Sequence, residues 1–201
     1  PLLTRIPEPG FVIEESFAEE TGITSWTLSN GIRVLLKPTD FKNNQVLFEG
    51  LSPGGHSLVP DKDYISAITA ISVIMGGGLD GFDKIELGKK LAGKSVYVSP
   101  WIGELYEGVR GNASPDDLET LFQLIHLTLT QPRKDQSSFQ SYKNRLKVLV
   151  ENRKSSPESL FYDTVQTTMT RNHFRSRPLT ERILEEMNLD RSFRIYRDRF
   201  A

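Results

Sequence analysis

Hydrophobic residues change their spacing once along this chain, near residue 114. Before that point they come in short alternating runs. Trp26 and Leu28 flank Thr27, Ser29-Asn30-Gly31 follows, and Ile32 to Lys37 resumes the run. Asn-Gly between two such runs predicts a β-hairpin over 24–37. Gln45 to Leu51 predicts a third strand, and Val96–Val98 and Leu105–Gly111 two more; Phe11–Ile13 is suited to a short edge strand. The stretch 61–75 is different. Tyr64, Ile68, Ile71 and Met75 recur at helical spacing, while Ile65, Ala67, Ala70 and Ile74 fill the opposite side. With Asp61 and Asp63 as caps and Gly76 to Gly78 as a stop, this pattern predicts a helix buried nearly all round. A short helix is expected over 82–92, carried by Phe82, Ile85 and Leu91.

From residue 114 onward the period is helical throughout. Ser114-Pro115 with Asp116, Asp117 and Glu119 is a helix start, followed by the stripe Leu118, Leu121, Phe122, Ile125 and Leu129. Asp135 and Ser156-Pro157 open two further helices. Thr180–Met187 predicts another, and Asp190 is the expected cap of the last, which carries Phe193, Tyr196 and Phe200. Strands, one helix, more strands and then a run of helices define an α+β fold: a two-layer domain with a mainly antiparallel sheet packed on helices. Residues 1–23 are proline-rich and acidic and suit a linker or edge segment; residues 24–201 form the expected single α+β domain.

Composition narrows the function classes. The 201 residues carry a net charge of −1 and no cysteine. That charge suggests no nucleic-acid surface. Without cysteine there is no disulfide, thiol catalysis or thiolate-bound zinc. No apolar run is long enough for a membrane span. The chain opens on Pro1 without methionine and stops at Ala201, which suits an excised segment.

Two phosphate-binding patterns occur in the central stretch. Gly76, Gly78 and Gly81 spell G-x-G-x-x-G, and Gly88 to Ser95 spell G-x-x-x-x-G-K-S. The first needs a strand before it and a helix after it. Residues 68–75 are β-branched enough to compete for that strand, although the helical pattern over 61–75 is longer. A nucleotide-binding domain built on Gly76–Gly81 is therefore an alternative. The second motif must leave a strand and open a helix, and here the order is reversed; Gly93 and Lys94 suit a helix end. Of the histidines, His56 sits in a glycine-rich loop, His126 on a helix and His173 between arginines. None has a partner at metal-site spacing, and Ser57 beside His56 is no triad. The arginines from Arg171 to Arg199 alternate with acids and read as a solvated helical face.

Trp26-Thr-Leu-Ser-Asn-Gly-Ile-Arg-Val-Leu-Leu-Lys-Pro-Thr-Asp-Phe41 resembles the opening hairpin of the insulinase/pitrilysin family of zinc peptidases. Ser52-Pro-Gly-Gly-His-Ser-Leu58, Leu91-Ala-Gly-Lys94, Leu118-Glu-Thr-Leu-Phe-Gln-Leu124 and Gln131-Pro-Arg-Lys-Asp135 resemble later motifs of one bacterial branch. In that branch one polypeptide holds four homologous α+β units in two halves that close like a clamshell. The first unit carries H-x-x-E-H on a helix, two zinc-binding histidines and a glutamate base, with a downstream glutamate as third ligand. Here the helix at 61–75 stands in that place. If Met75 matches the methionine that follows the motif, the histidine places hold Ala70 and Ile74, the base place holds Val73, and the third-ligand place holds Glu151.

The resemblance thus implies a degenerate third unit, opening the C-terminal half and stopping before its own last strands. It implies a zinc metalloendopeptidase as parent, with the zinc in the N-terminal half and no cofactor bound by this segment. The implied partners are that N-terminal half and peptide substrates, with neither nucleic acid nor membrane, and the compartment favoured is periplasm or cell envelope over cytoplasm. Gly76, Gly77 and Gly78 are the candidate substrate-contacting residues. A pure interaction or scaffold domain of the same fold is the other reading.

Overall fold

In the computed structural model, which describes residues 2–200, the Asn30-Gly31 turn closes the expected hairpin. Strand β2 (Ile23–Leu28) pairs antiparallel with β3 (Arg33–Leu36), and the Gly31 N–H donates to the Leu28 carbonyl at 2.8 Å. The edge strand foreseen at Phe11–Ile13 is longer: β1 runs over Val12–Ala18 and pairs with β2. Its Glu14 and Glu15 are compatible with a strand because every residue of β1 is exposed.

The remaining strands form a second antiparallel sheet. It contains β4 (Val46–Pro53), β5 (Val96–Ile102) and β6 (Tyr106–Ala113), in the order β4-β6-β5. The antiparallel layer therefore comes as two three-stranded sheets. In the second, Phe48, Val96, Val98, Val109 and Ala113 share the face that meets the helices. Leu47, Leu51, Tyr97 and Tyr106 are exposed on the other. This one-sided burial is what an alternating antiparallel strand produces.

Among the described residues there are seven α-helices, in chain order α1 (Tyr64–Gly77), α2 (Lys84–Lys90), α3 (Leu118–Thr130), α4 (Gln136–Lys154), α5 (Pro157–Met169), α6 (Glu181–Leu184) and α7 (Leu189–Phe200). Helix α1 is the centre of the layer. Its Ile65, Val73 and Ile74 share one core with Phe139 and Val150 of α4, Ile183 and Leu184 of α6, and Tyr196 of α7. Each such side chain contributes about 1.5–3 kcal/mol relative to leaving it in water. Helix α3 covers the second sheet through Leu121 and Ile125.

Several caps differ from the pattern expected. Asp135 and Ser156 do cap α4 and α5, accepting from the Ser138 and Ser159 N–H groups. Asp63 stands at the N-cap of α1 without capping it. Its buried carboxylate lies 3.3 Å from Arg191 and 3.1 Å from Arg194. The last helix starts from Asn188, whose Oδ1 accepts from the Arg191 N–H at 3.0 Å, and not from Asp190. Asp190 faces outward and pairs with Lys134.

Candidate functional site

The glycine patterns are settled by what surrounds them. Residues 68–75 lie inside α1, so the strand a dinucleotide fingerprint needs is absent and the nucleotide-binding alternative is set aside. The N-terminus of α2 is already occupied, because the Asp83 carboxylate accepts from the Ile85 and Glu86 N–H groups at 2.8 Å. Gly88 to Ser95 leave α2 and enter β5, helix before strand. Packing demands two of the three consecutive glycines. Gly77 is buried, and a Cβ on it would stand 2.7 Å from the Arg133 carbonyl oxygen. Gly78 has φ 93°, and a Cβ there would stand 2.2 Å from the Phe82 carbonyl oxygen. Gly76 is half-buried, with only the Ser138 Cβ at 3.8 Å from such an atom.

Ala70, Val73 and Ile74 turn into the core, at 0, 2 and 0 % exposure. Glu151 lies on α4 next to Val150, which packs into the same core, while Glu151 itself is exposed. Two aliphatic residues and an alanine offer neither a lone pair to a metal nor a site for a proton, so these residues do not fit zinc. Among the described residues no three His, Cys, Asp or Glu side chains gather as a metal-binding group. His56, His126 and His173 lie on separate elements. His173 accepts from the Arg175 N–H through Nδ1, at 3.3 Å.

The structure does assemble a groove above α1. It has a volume of about 600 Å3 and lies between β5, the start of α2 and one face of α4. Ile71, Ser72, Met75 and Gly76 form its floor. One wall is Tyr97 to Pro100; the other is Ser138, Ser141, Tyr142 and Arg145, with Lys84 contributed by α2. The α4 wall follows from sequence spacing, because residues three and four apart share a helix face. Of the candidate glycines, the groove takes in Gly76.

The β5 wall has an open edge. Ser114 N–H donates to the Ser95 carbonyl at one end of the β5–β6 ladder, and Gly103 N–H to the Tyr106 carbonyl at the other. Odd-numbered residues of β5 therefore turn their peptide groups to β6, and Val96, Val98, Pro100 and Ile102 turn theirs outward. No described strand pairs on that side. Pro100 lies at one of the outward positions, where its missing N–H removes no bond of the sheet.

A second polar cluster braces the loop before α1. Glu107 of β6 is buried and accepts from the Gly55 N–H at 2.5 Å. Arg175 donates to the His56 and Val59 carbonyls and to Asp61, at 3.1, 2.8 and 2.8 Å, and stacks on Tyr64. Arg199 lies 3.9 Å from Glu107. The arginine run is thus partly structural rather than a uniformly solvated face. Nothing in local spacing announces Glu107 or Arg175, because each meets partners far away in sequence. The signal available for Arg145 and Ser141 was their shared helical face with Tyr142. Lys84 gave none.

Comparison with known proteins places the chain. No protein-family model matches it. It is 33 % identical over 129 residues to the zinc protease PQQL-like of Arabidopsis thaliana, covering 64 % of this chain and 11 % of that protein. It is 28 % identical over 120 residues to the probable zinc protease PqqL of Haemophilus influenzae, covering 60 % of this chain and 13 % of that protein. The chain thus spans between a tenth and a seventh of the relatives it matches. All of it superposes on the periplasmic protease PqqL from Escherichia coli, with a TM-score of 0.82 at 20 % identity over 22 % of that chain. It also superposes fully on the ferredoxin protease FusC, solved with Arabidopsis ferredoxin, with a TM-score of 0.81 at 17 % identity and again 22 % coverage. Matching sequence in two zinc proteases and matching architecture in the solved proteases agree with the likeness to the insulinase/pitrilysin family, and the fold is that of one α+β segment of those longer chains.

Proposed function

We propose that this chain is a non-catalytic, non-zinc-binding unit of a zinc metalloendopeptidase. It walls the chamber and helps hold peptide substrate against an active N-terminal half of the same polypeptide. Zinc belongs to that half, and the compartment is the periplasm or cell envelope, in keeping with the periplasmic PqqL. One observation carries the reading. The helix in the place of the family's zinc helix holds Ala70, Val73 and Ile74, all packed inside the core. None of them has an atom that can ligate metal or move a proton. What this chain can do instead is present the open edge of β5 and the hydroxyl-rich α4 face to an extended segment.

The test is metal content and peptide cleavage measured on one sample. After dialysis against trace zinc, the chain by itself is expected to hold no stoichiometric zinc and to cleave no peptide, and adding the upstream half is expected to give a cleaving complex. Stoichiometric zinc with cleavage by the chain alone would overturn the proposal. The scaffold reading differs in one respect: its parent carries no intact H-x-x-E-H upstream.

A further inference from the structure

We infer that the groove above α1 takes an acidic, extended peptide segment of the substrate. The inference rests on the peptide-holding reading above and names the chemistry it selects. Lys84 and Arg145 both line the groove, and no aspartate or glutamate does. On α4 the other cations are neutralised at home. Lys143 and Lys147 pair with Glu185, Arg153 with Asp163 and Lys154 with Glu181. Arg145 makes no ion pair among the described residues, and its guanidinium carbon sits over the Tyr142 ring, 5.1 Å from the ring centre. Lys84 makes none either, and both side chains are exposed to an arriving ligand. In a chain with a net charge of −1, two unmatched cations on one concave surface are a local departure from the average.

The backbone supplies the second half of the argument. Val98 turns its N–H and carbonyl toward the groove's open side, ready to exchange two hydrogen bonds with an incoming strand. Pro100 offers a carbonyl and no N–H, which limits the ladder to a short segment. Side chains of that segment alternate in direction, so every second one is presented to the α4 wall. A carboxylate there meets Arg145 and Lys84, with Ser138 and Ser141 as hydroxyl donors. A volume near 600 Å3 lies within the range of sites that bind small ligands or short peptide stretches.

The experiment uses the parent polypeptide in chelator, so that probes stay intact. Fluorescence anisotropy compares a glutamate-rich labelled peptide with the same peptide carrying glutamine at those positions. The wild type should bind the acidic peptide about fivefold more tightly, as two exposed ion pairs allow. That preference should fade in high salt. The Lys84→Gln/Arg145→Gln variant should lose the preference while keeping its affinity for the glutamine peptide. Lys84→Arg/Arg145→Lys should retain the preference. A preference that survives the double glutamine variant overturns the inference, and so does equal binding of both peptides by the wild type. In either of those cases the peptide-holding reading stands. If neither peptide binds, that reading falls and takes this inference with it.

Discussion

His56 shows how a side chain without a metal or a nucleophile still sets a property of the molecule. Its N–H donates to the Gly103 carbonyl, its carbonyl accepts from Arg175, and its ring meets Tyr64 edge-on at 6.0 Å. Burial lowers its proton affinity. Glu104 opposes that effect, Arg175 adds to it, and Glu107 and a backbone bond to Ala67 oppose it more weakly. The folded chain therefore keeps His56 neutral at a pH where the unfolded chain has begun to protonate it. The sign follows: the unfolded state binds more protons, so stability rises with pH through this window. The contribution is complete above the ordinary histidine value of about 6.5 and is lost as pH falls below it. The urea midpoint should thus drop between neutral pH and pH ~5.5, and His56→Gln should flatten that drop, since the main-chain bonds of residue 56 survive the change. An identical slope in the variant would remove His56 from the account. The carboxylates of Asp117, Asp135, Glu181 and Glu185, held low mainly by hydrogen bonds to their neighbours, act in a separate and more acidic window.

Between elements, the interface of α1 with α7 combines apolar burial with polar stitching. Ser66 is fully buried on α1. Its Oγ accepts from the Asn188 N–H at 3.1 Å, and its carbonyl accepts from the Ser192 hydroxyl at 2.9 Å. Tyr196 reaches past α1 to donate to the Thr128 carbonyl on α3 at 2.8 Å. Ser66→Ala leaves the Asn188 N–H at the head of α7 without its side-chain acceptor in a part-buried place. A loss of about 1 kcal/mol is expected in urea unfolding, with faster amide exchange at Asn188. Unchanged stability and exchange would show that the bond contributes nothing net. The elements themselves were largely legible. The Asn30-Gly31 hairpin, the all-round apolar α1, the caps Asp135 and Ser156 and the Leu121 and Ile125 positions of α3 follow from local chemistry, which a sequence carries in contiguous form; Phe122, expected in the same stripe, is instead 52 % exposed, while Leu124 and Leu127 are buried. Their joins were not. That Asp63 pairs with Arg191 and Arg194, and Glu107 with Gly55, is decided by partners dozens of residues away. The groove was illegible for the same reason: β5, α2 and α4 meet only after folding, and the glycines that stood out in the sequence are mostly packing devices.

At the scale of the molecule, both sheets keep an uncovered surface. In the first, Phe17, Trp26, Val34 and Leu36 share one face through the registers of β1, β2 and β3. Phe17 is 63 % exposed, and Phe11, at the other end of β1, 68 %. None of these strands packs to any extent on the helix layer. In the second sheet Leu47 and Leu51 are exposed on the side away from α3, at 75 and 63 %. Apolar area of this kind, clustered rather than scattered, marks a surface that meets something else. If the chain is one unit of a chambered peptidase, the rest of the polypeptide covers these faces. The 201-residue chain by itself should then raise the fluorescence of an apolar-surface dye such as anilinonaphthalene sulfonate several-fold while keeping its native circular dichroism. Phe17→Ser with Leu36→Ser should weaken that signal without unfolding the chain, since neither side chain belongs to the helical core. In the parent polypeptide, the amides of β1 to β3 should exchange more slowly than in the chain alone. A chain that is monomeric and does not bind the dye, with β1 to β3 exchanging equally in both contexts, would mean that these faces are ordinary surface and that the neighbouring units dock elsewhere.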